Sequence, residues 1–166
     1  VAGAVGILTG IARNTFERSR DLETIAKNER DKLLRVLETM EDGVVIIGPD
    51  YRVRFENPSM SKEFGEGIGS YCYKYLHNRD KPCGEDCQLK AVLGGAKKRW
   101  EYSLSDERTY EIVASSIIDS DRTTCMLAVY RNISHYKWIE RELMKINQLK
   151  TELLSNMSHE LKSPLT

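Results

Sequence analysis

The stretch Asp42-Gly-Val-Val-Ile-Ile-Gly-Pro-Asp50-Tyr-Arg-Val-Arg-Phe55-Glu-Asn57-Pro58 carries the clearest fold signals in the chain. Its Asp42-Gly43 pair ends a helix, and the apolar run from Val44 to Ile47 predicts a buried strand. Gly48-Pro-Asp50 predicts a turn, after which residues 51–55 alternate as a second strand. The stretch therefore predicts a β-hairpin that follows a helix.

The remaining elements of this domain come from local patterns downstream. Asn57-Pro58 predicts a short helix, with Asn as the cap and Pro at the first position. Period-two patterns predict three more strands, around Trp100-Tyr102-Leu104, Tyr110-Ile112 and Met126-Ala128-Tyr130. Two strands, short helices and three strands indicate an α+β domain with a mainly antiparallel sheet.

Long charged segments predict a helix on each side of this domain, and the first has no Pro or Gly from Asn14 to Met40. The N-terminal segment, residues 13–41, has a heptad-like stripe that Glu29 interrupts: Leu22, Ala26, Glu29, Leu33, Val36 and Met40. The C-terminal segment, residues 135–166, has the stripe Ile139, Leu143, Ile146, Leu149, Leu153 and Met157, with a stutter after Ile146. Both predict coiled coils with a partner chain. The alternatives are a solvated single helix for the first and packing within the chain for the second.

The order of elements, with Asp42 to Asp50 leading to Phe55-Glu-Asn57-Pro58, resembles a PAS domain over roughly residues 33–136. The resemblance implies a five-stranded antiparallel sheet in residues 42–134, flanked by long coiled-coil signalling helices. The closing Asp-Ile-Thr of that family is here Asn132-Ile133-Ser134. Because the Asp charge is lost, we expect neutral hydrogen bonds at the junction between the sheet and the helix.

The end of the chain, Leu154-Ser-Asn-Met-Ser-His159-Glu160-Leu-Lys-Ser163-Pro164-Leu-Thr166, combines a helical histidine with a carboxylate and a proline. Ser163 lies one turn after His159, and Pro164 predicts a kink there. An imidazole with an ordinary pKa is partly neutral at pH 7 and can attack a phosphoryl group. The simpler alternative is a surface histidine.

This segment closely resembles the H-box of sensor histidine kinases. The resemblance implies that His159 accepts the phosphoryl group and that Glu160 orients its ring or acts as general base. Ser163 replaces the usual Thr or Asn at the position of the phosphatase reaction. The resemblance also implies that the chain forms a homodimer and that a response regulator is its partner.

Composition limits the other functions. Lys and Arg number 25, as do Asp and Glu, and no basic block suggests a nucleic-acid partner. No glycine-rich phosphate-binding motif occurs, so ATP would enter only through a separate kinase domain. Because the chain starts with Val and stops inside the H-box, we expect a piece of an ATP-dependent protein-histidine kinase.

Residues 1–12 are uncharged, and Arg13, Arg18 and Arg20 follow. Residues 1–12 are too few to cross a bilayer, which takes about 20 residues. One interpretation is the end of a transmembrane helix, with the arginines marking the cytoplasmic side. The other is a soluble helix that packs against a partner. The first would anchor the protein and place this chain at the cytoplasmic side of the cell membrane.

Three cysteines and a histidine have the spacing Cys72-x4-His77-x5-Cys83-x3-Cys87. Thiolates and imidazole are ligands of zinc, and thiolates of iron–sulfur clusters, so this set is a candidate metal site. The alternatives are a reversible disulfide between Cys83 and Cys87 or with Cys72, or free thiols. Cys125, in an apolar strand, is expected to be a small core residue.

Three functions remain open. The leading hypothesis is the sensing and transmitting part of a histidine kinase. The second is a stand-alone redox- or metal-binding module with a dimerising helix. The third is a PAS domain that binds haem or flavin, for which His77 is the only candidate haem ligand.

Overall fold

The protein, as a computed structural model, has its backbone described for residues 2–104 and 107–162 and its side chains for residues 18–85, 87–104 and 107–159. Its elements are α1 (Ala2–Thr39), β1 (Gly43–Ile47), β2 (Val53–Glu56), α2 (Pro58–Phe64), α3 (Cys72–Tyr75), a 3₁₀ turn (Gly84–Asp86), α4 (Gln88–Leu93), β3 (Lys98–Ser103), β4 (Thr109–Ile118), β5 (Thr124–Asn132) and α5 (Ser134–Lys162). Two long helices thus flank a sheet with short helices inserted between β2 and β3.

The described strands form one five-stranded sheet in the order β2-β1-β5-β4-β3, and every neighbouring pair is antiparallel. The register places Val45 opposite Ala128 and Trp100 opposite Ile112. The predicted α+β class with an antiparallel sheet is therefore confirmed. Because side chains alternate along a strand, one face of the sheet packs under α2, α3 and α4 and the other stays more polar.

Strand β2 begins two residues later than predicted. Tyr51 has a φ of 66°, and its N–H donates to the Gly48 carbonyl at 3.0 Å. The Gly48 N–H in turn donates to the Arg52 carbonyl at 2.8 Å. The turn therefore uses residues 51 and 52, which the alternating pattern had assigned to the strand.

The core lies between the sheet and the short helices. It is built of buried side chains from every layer: Val45, Ile47, Val53, Met60, Cys72, Leu76, Leu89, Val92, Tyr110, Ile112, Ala114, Met126, Ala128 and Tyr130. Cys125 is fully buried, which confirms the expectation of a core residue.

The apolar stripes of the two long helices are largely exposed in the described part of the chain. On α5, the six predicted stripe residues are between 38% and 65% exposed. On α1, Leu22, Leu33 and Val36 are more than half exposed. The stripe of α5 thus has no packing role within the described chain, and pairing of these helices with a partner stays a prediction.

None of the helices in the described part combines the length and apolar character needed to cross a bilayer. Helix α1 runs without a break from residue 2 to residue 39. The interpretation of residues 1–12 as the end of a transmembrane helix stays a prediction.

The buried side chain of Asn57 joins α1, β1 and α2. Its Oδ1 accepts hydrogen bonds from the N–H groups of Val44 at 2.8 Å and Met60 at 3.2 Å. Its Nδ2 donates to the carbonyls of Leu37 at 3.1 Å and Asp42 at 3.0 Å. The predicted cap of α2 therefore also holds the end of α1 and the first strand.

Replacing Asn57 with Ala should lower the free energy of unfolding by about 2–4 kcal/mol, because buried N–H groups lose their acceptor. Urea denaturation of the whole chain measures this. The control Asn147→Ala, at an exposed position of α5, should change the free energy by less than about 0.5 kcal/mol. Equal stability of the two variants would contradict the role of Asn57.

Candidate functional site

A cavity of about 240 Å³ opens between α3, the 3₁₀ turn, α4 and the inner face of the sheet. Pockets for drug-sized ligands have volumes of about 300–1,000 Å³, so this cavity suits a smaller ligand. The sheet contributes the aromatic side chains Trp100, Tyr102 and Tyr130, and Ile47 and Met126 add apolar surface. Haem and flavin are larger than the ligands that such a volume favours.

All four predicted metal ligands line this cavity. Cys72 begins α3, where its N–H donates to the Tyr51 carbonyl at 2.7 Å and its side chain is buried. His77 follows α3, and the half-buried Cys83 and Cys87 lie on either side of the 3₁₀ turn. Three separate segments thus bring their donors to one space.

The donors are close to one another but are not assembled around a metal ion. Within residues whose side chains are described, no group of three or more His, Cys, Asp and Glu is close enough to hold one. All four cysteines are free thiols in this structure. The metal and disulfide interpretations therefore stay predictions, while the shared location of the residues is observed.

Burial shifts the pKa values of three of these donors toward their neutral forms. It raises the pKa of the Cys72 thiol to about 12, and the neighbouring Cys87 and Cys83 add to the shift. Burial also raises the pKa of Cys83, which the positive charge of Arg79 partly opposes. Burial lowers the pKa of His77, and the positive charge of Arg79 adds to this shift, which favours the neutral imidazole.

Two further features of the cavity were missed by sequence reasoning. The His77 ring contacts the Tyr102 ring edge to face, with 4.7 Å between ring centroids. Arg79 lines the cavity and interacts with Cys83. The position of Arg79 between His77 and Cys83 in the sequence was one signal of a role in this site. Because an arginine in a loop is usually solvated, only the fold shows that Arg79 interacts with Cys83.

Strand β3 connects the cavity to α5 because its side chains alternate. Trp100 and Tyr102 face the cavity, and Glu101, on the other face, forms an ion pair with Lys137 of α5 at 3.0 Å. This ion pair was not predicted, since 36 residues separate its members in sequence. One strand thus contributes side chains both to the cavity and to a contact with the first turn of α5.

The junction at the start of α5 has the neutral hydrogen bonds expected there. Asn132 Oδ1 accepts from the Ser134 N–H at 3.0 Å and from its hydroxyl at 2.6 Å. Ser134 Oγ accepts from the Thr109 N–H at 2.9 Å, and the Ile133 N–H donates to the Thr109 carbonyl at 2.8 Å. These bonds hold the first turn of α5 to the start of β4.

The side chain of His159 is exposed near the far end of α5. At 1.5 Å per residue, it lies about 38 Å along the helix from Ser134. The helical backbone continues through Lys162, as the sequence predicted. The side chain of Glu160, the whole of Ser163 and the kink expected at Pro164 fall outside the described residues.

No family model matches the chain. Among curated proteins, it is 25% identical over 166 residues to the sensor protein kinase WalK of Staphylococcus aureus (strain Newman), covering 98% of this chain and 26% of that protein. It is 26% identical over 164 residues to the cell-division control histidine kinase PdhS of Brucella ovis, covering 81% of this chain and 15% of that protein. The chain spans about a quarter or less of the length of these relatives.

Solved structures show the same fold. The PAS domain of an HTR-like protein from Haloarcula marismortui aligns with a TM-score of 0.55 and 18% identity, over 69% of this chain and 99% of that one. An RNA-binding light-oxygen-voltage receptor aligns with a TM-score of 0.52 and 14% identity, over 74% of this chain and 38% of that one. The described residues therefore have the PAS fold, and the chain resembles part of a PAS-containing sensor histidine kinase.

Proposed function

We propose that this chain senses and transmits a signal within a two-component histidine kinase, where the PAS domain biases helix packing and so controls phosphorylation of His159. The observation that carries the proposal is the construction of α5. One helix starts on the sheet beside the cavity, exposes an apolar stripe and presents the histidine near its end.

The chemistry at His159 needs a kinase domain that binds ATP. The imidazole attacks the γ-phosphorus, the bond to the β-phosphate oxygen breaks, and ADP leaves. Glu160 orients the ring or accepts its proton, and Ser163 positions water for the opposing phosphatase reaction, in which water takes up the phosphoryl group and inorganic phosphate is released. A response regulator then receives the phosphoryl group. An anchor at the cytoplasmic side of the membrane, with residues 1–12 as the end of a transmembrane helix, belongs to the same proposal.

Pairing of two chains supplies the element that a signal can bias. The stripe of α5 has the spacing of a coiled coil with one stutter, and the stripe of α1 contains exposed Glu29. Imperfect stripes make two packings of similar free energy, and a small bias from the PAS domain then changes their populations. The alternative function is a stand-alone redox- or metal-binding module, for which the cysteines at the cavity are the supporting observation.

His159→Gln should abolish phosphorylation of this chain when the ATP-binding domain of the parent protein and radiolabelled ATP are supplied. The matched control is His135→Gln, because His135 is also exposed on α5 and should not alter labelling. Circular dichroism should show the same helix content in both variants. Label that persists in His159→Gln would refute the assignment.

Leu143→Lys combined with Leu153→Lys should weaken dimerisation by at least about 100-fold, since each leucine loses apolar burial against the partner. Sedimentation equilibrium of the full chain measures this. Gln148→Lys with Thr151→Lys adds equal charge on the opposite side of α5 and should leave the dimer intact. A monomeric unmodified chain at high concentration would exclude the proposed pairing.

Glu101→Gln and Lys137→Gln should each change the labelling rate of His159, by roughly 1.5- to 5-fold, and the double variant should add little further change. An exposed ion pair contributes only about 0.2–1 kcal/mol, so stability itself should change little. Arg99→Gln is the control, because Arg99 pairs with Glu111 at 3.3 Å on the same sheet face and this pair does not include α5. Equal effects of Arg99→Gln and Glu101→Gln would contradict the role of the ion pair.

A further inference from the structure

Sulfur is concentrated on one wall of the cavity. Three of the four cysteines of the chain line it, together with one imidazole. They come from the start of α3, from the segment before the 3₁₀ turn and from the residue that precedes α4. A cavity that bound only an apolar molecule would need shape and aliphatic side chains, and would not need an imidazole and an arginine beside three thiols.

The structure points to Cys72, His77, Cys83 and Cys87 as the ligands of one zinc ion, bound as the 3₁₀ turn closes over the cavity. Three sulfur atoms and one nitrogen form a complete tetrahedral zinc set, whereas iron–sulfur clusters are mostly held by four cysteines. This inference rests on the proposed function in one respect, that zinc would be the signal sensed at the cavity. Zinc binding itself does not depend on His159.

Arg79 supports this choice through charge. Zinc with three thiolates carries a net charge of −1, which is costly in a partly buried site without a counter-charge. Arg79 lines the same cavity, and its positive charge lies close enough to Cys83 to favour the thiolate. A positive group beside a ligand sulfur offsets this charge.

Binding requires a local movement, because the donors of the described chain are not yet grouped around one point. The segment between His77 and Cys87 is suited to this movement. Its start is held by hydrogen bonds from Asn78 and Arg79 to α3, and its end by the Cys87 N–H, which donates to the Gly84 carbonyl at 3.3 Å. Gly84 has a φ of 70°, a conformation that glycine adopts at no steric cost.

Closure would act on the sheet as well as on the loop. The His77 ring packs edge to face against the Tyr102 ring. Tyr102 is next to Glu101 in β3, and Glu101 forms an ion pair with Lys137 of α5. Zinc binding would therefore move a ring that contacts the strand connected to the signalling helix. Zinc binding is then the signal, and a change in the packing of α5 is the response.

The test is a zinc titration of the full chain, first reduced and freed of metal by a chelator. We expect about one zinc per chain, and cobalt in its place should give thiolate charge-transfer and tetrahedral d–d absorption bands. Cys83→Ser and Cys87→Ser should each weaken binding by more than about 100-fold, and Arg79→Gln by about 10-fold. Cys125→Ala should bind as the unmodified chain does, because Cys125 lies outside the cavity.

Three results would overturn the inference. They are a folded chain that binds no zinc, zinc binding that survives Cys83→Ser and Cys87→Ser, and anaerobic protein that holds iron and sulfide instead. Phosphorylation of His159 is measured separately on the same samples. Loss of zinc binding with normal labelling removes this inference alone, whereas zinc binding without labelling removes the proposed function alone.

Discussion

The four hydrogen bonds of the Asn57 amide are the constraint on which the rest of the structure depends. They connect the carbonyl of Leu37 near the end of α1, the backbone on both sides of Gly43, and the first turn of α2. A buried amide that satisfies four backbone groups is costly to replace, since each group would lose its partner. A displacement at the end of α1 therefore acts directly on the first strand of the sheet.

The sheet connects this entry point to the exit helix. Strands β1 and β5 are neighbours, and Arg131, near the end of β5, forms an ion pair with Asp42 at 2.9 Å. The beginning and the end of the sheet domain, where the two long helices are attached, are thus adjacent. In the proposed function, an input from α1 would reach the sheet through Asn57 and Asp42, and an input from the cavity would reach α5 through Glu101 and Lys137.

The proposed mechanism involves two distant parts of the chain, the cavity and His159. The cavity is lined by three thiols, an imidazole and an arginine, while the side chain of His159 and the apolar stripe of α5 are exposed. Because α5 is one continuous helix up to His159, this mechanism expects a rotation or tilt of its first turn to be transmitted along its length. Small differences in packing can therefore have a large effect at the far end.

Most of the architecture follows from local sequence patterns. The hairpin, the cap at Asn57, the antiparallel strands and the two long helices were predictable, because turn residues, alternation and helix formers act over a few positions. The boundaries were less predictable: β4 extends to Ile118, past Ser115 and Ser116, because its register with β5 continues through these two polar residues.

The sequence by itself determined the fold class, the resemblance to sensor histidine kinases, the stripe of α5 and the position of the terminal histidine on it. The tertiary structure alone decided that Cys72, His77, Cys83 and Cys87 surround one cavity with Arg79, and that Glu101 meets Lys137. The physical reason is the distance along the chain between the residues that interact. Periodicity and capping depend on neighbours along the chain, whereas a cavity and an ion pair between β3 and α5 depend on segments that only the packed sheet brings together.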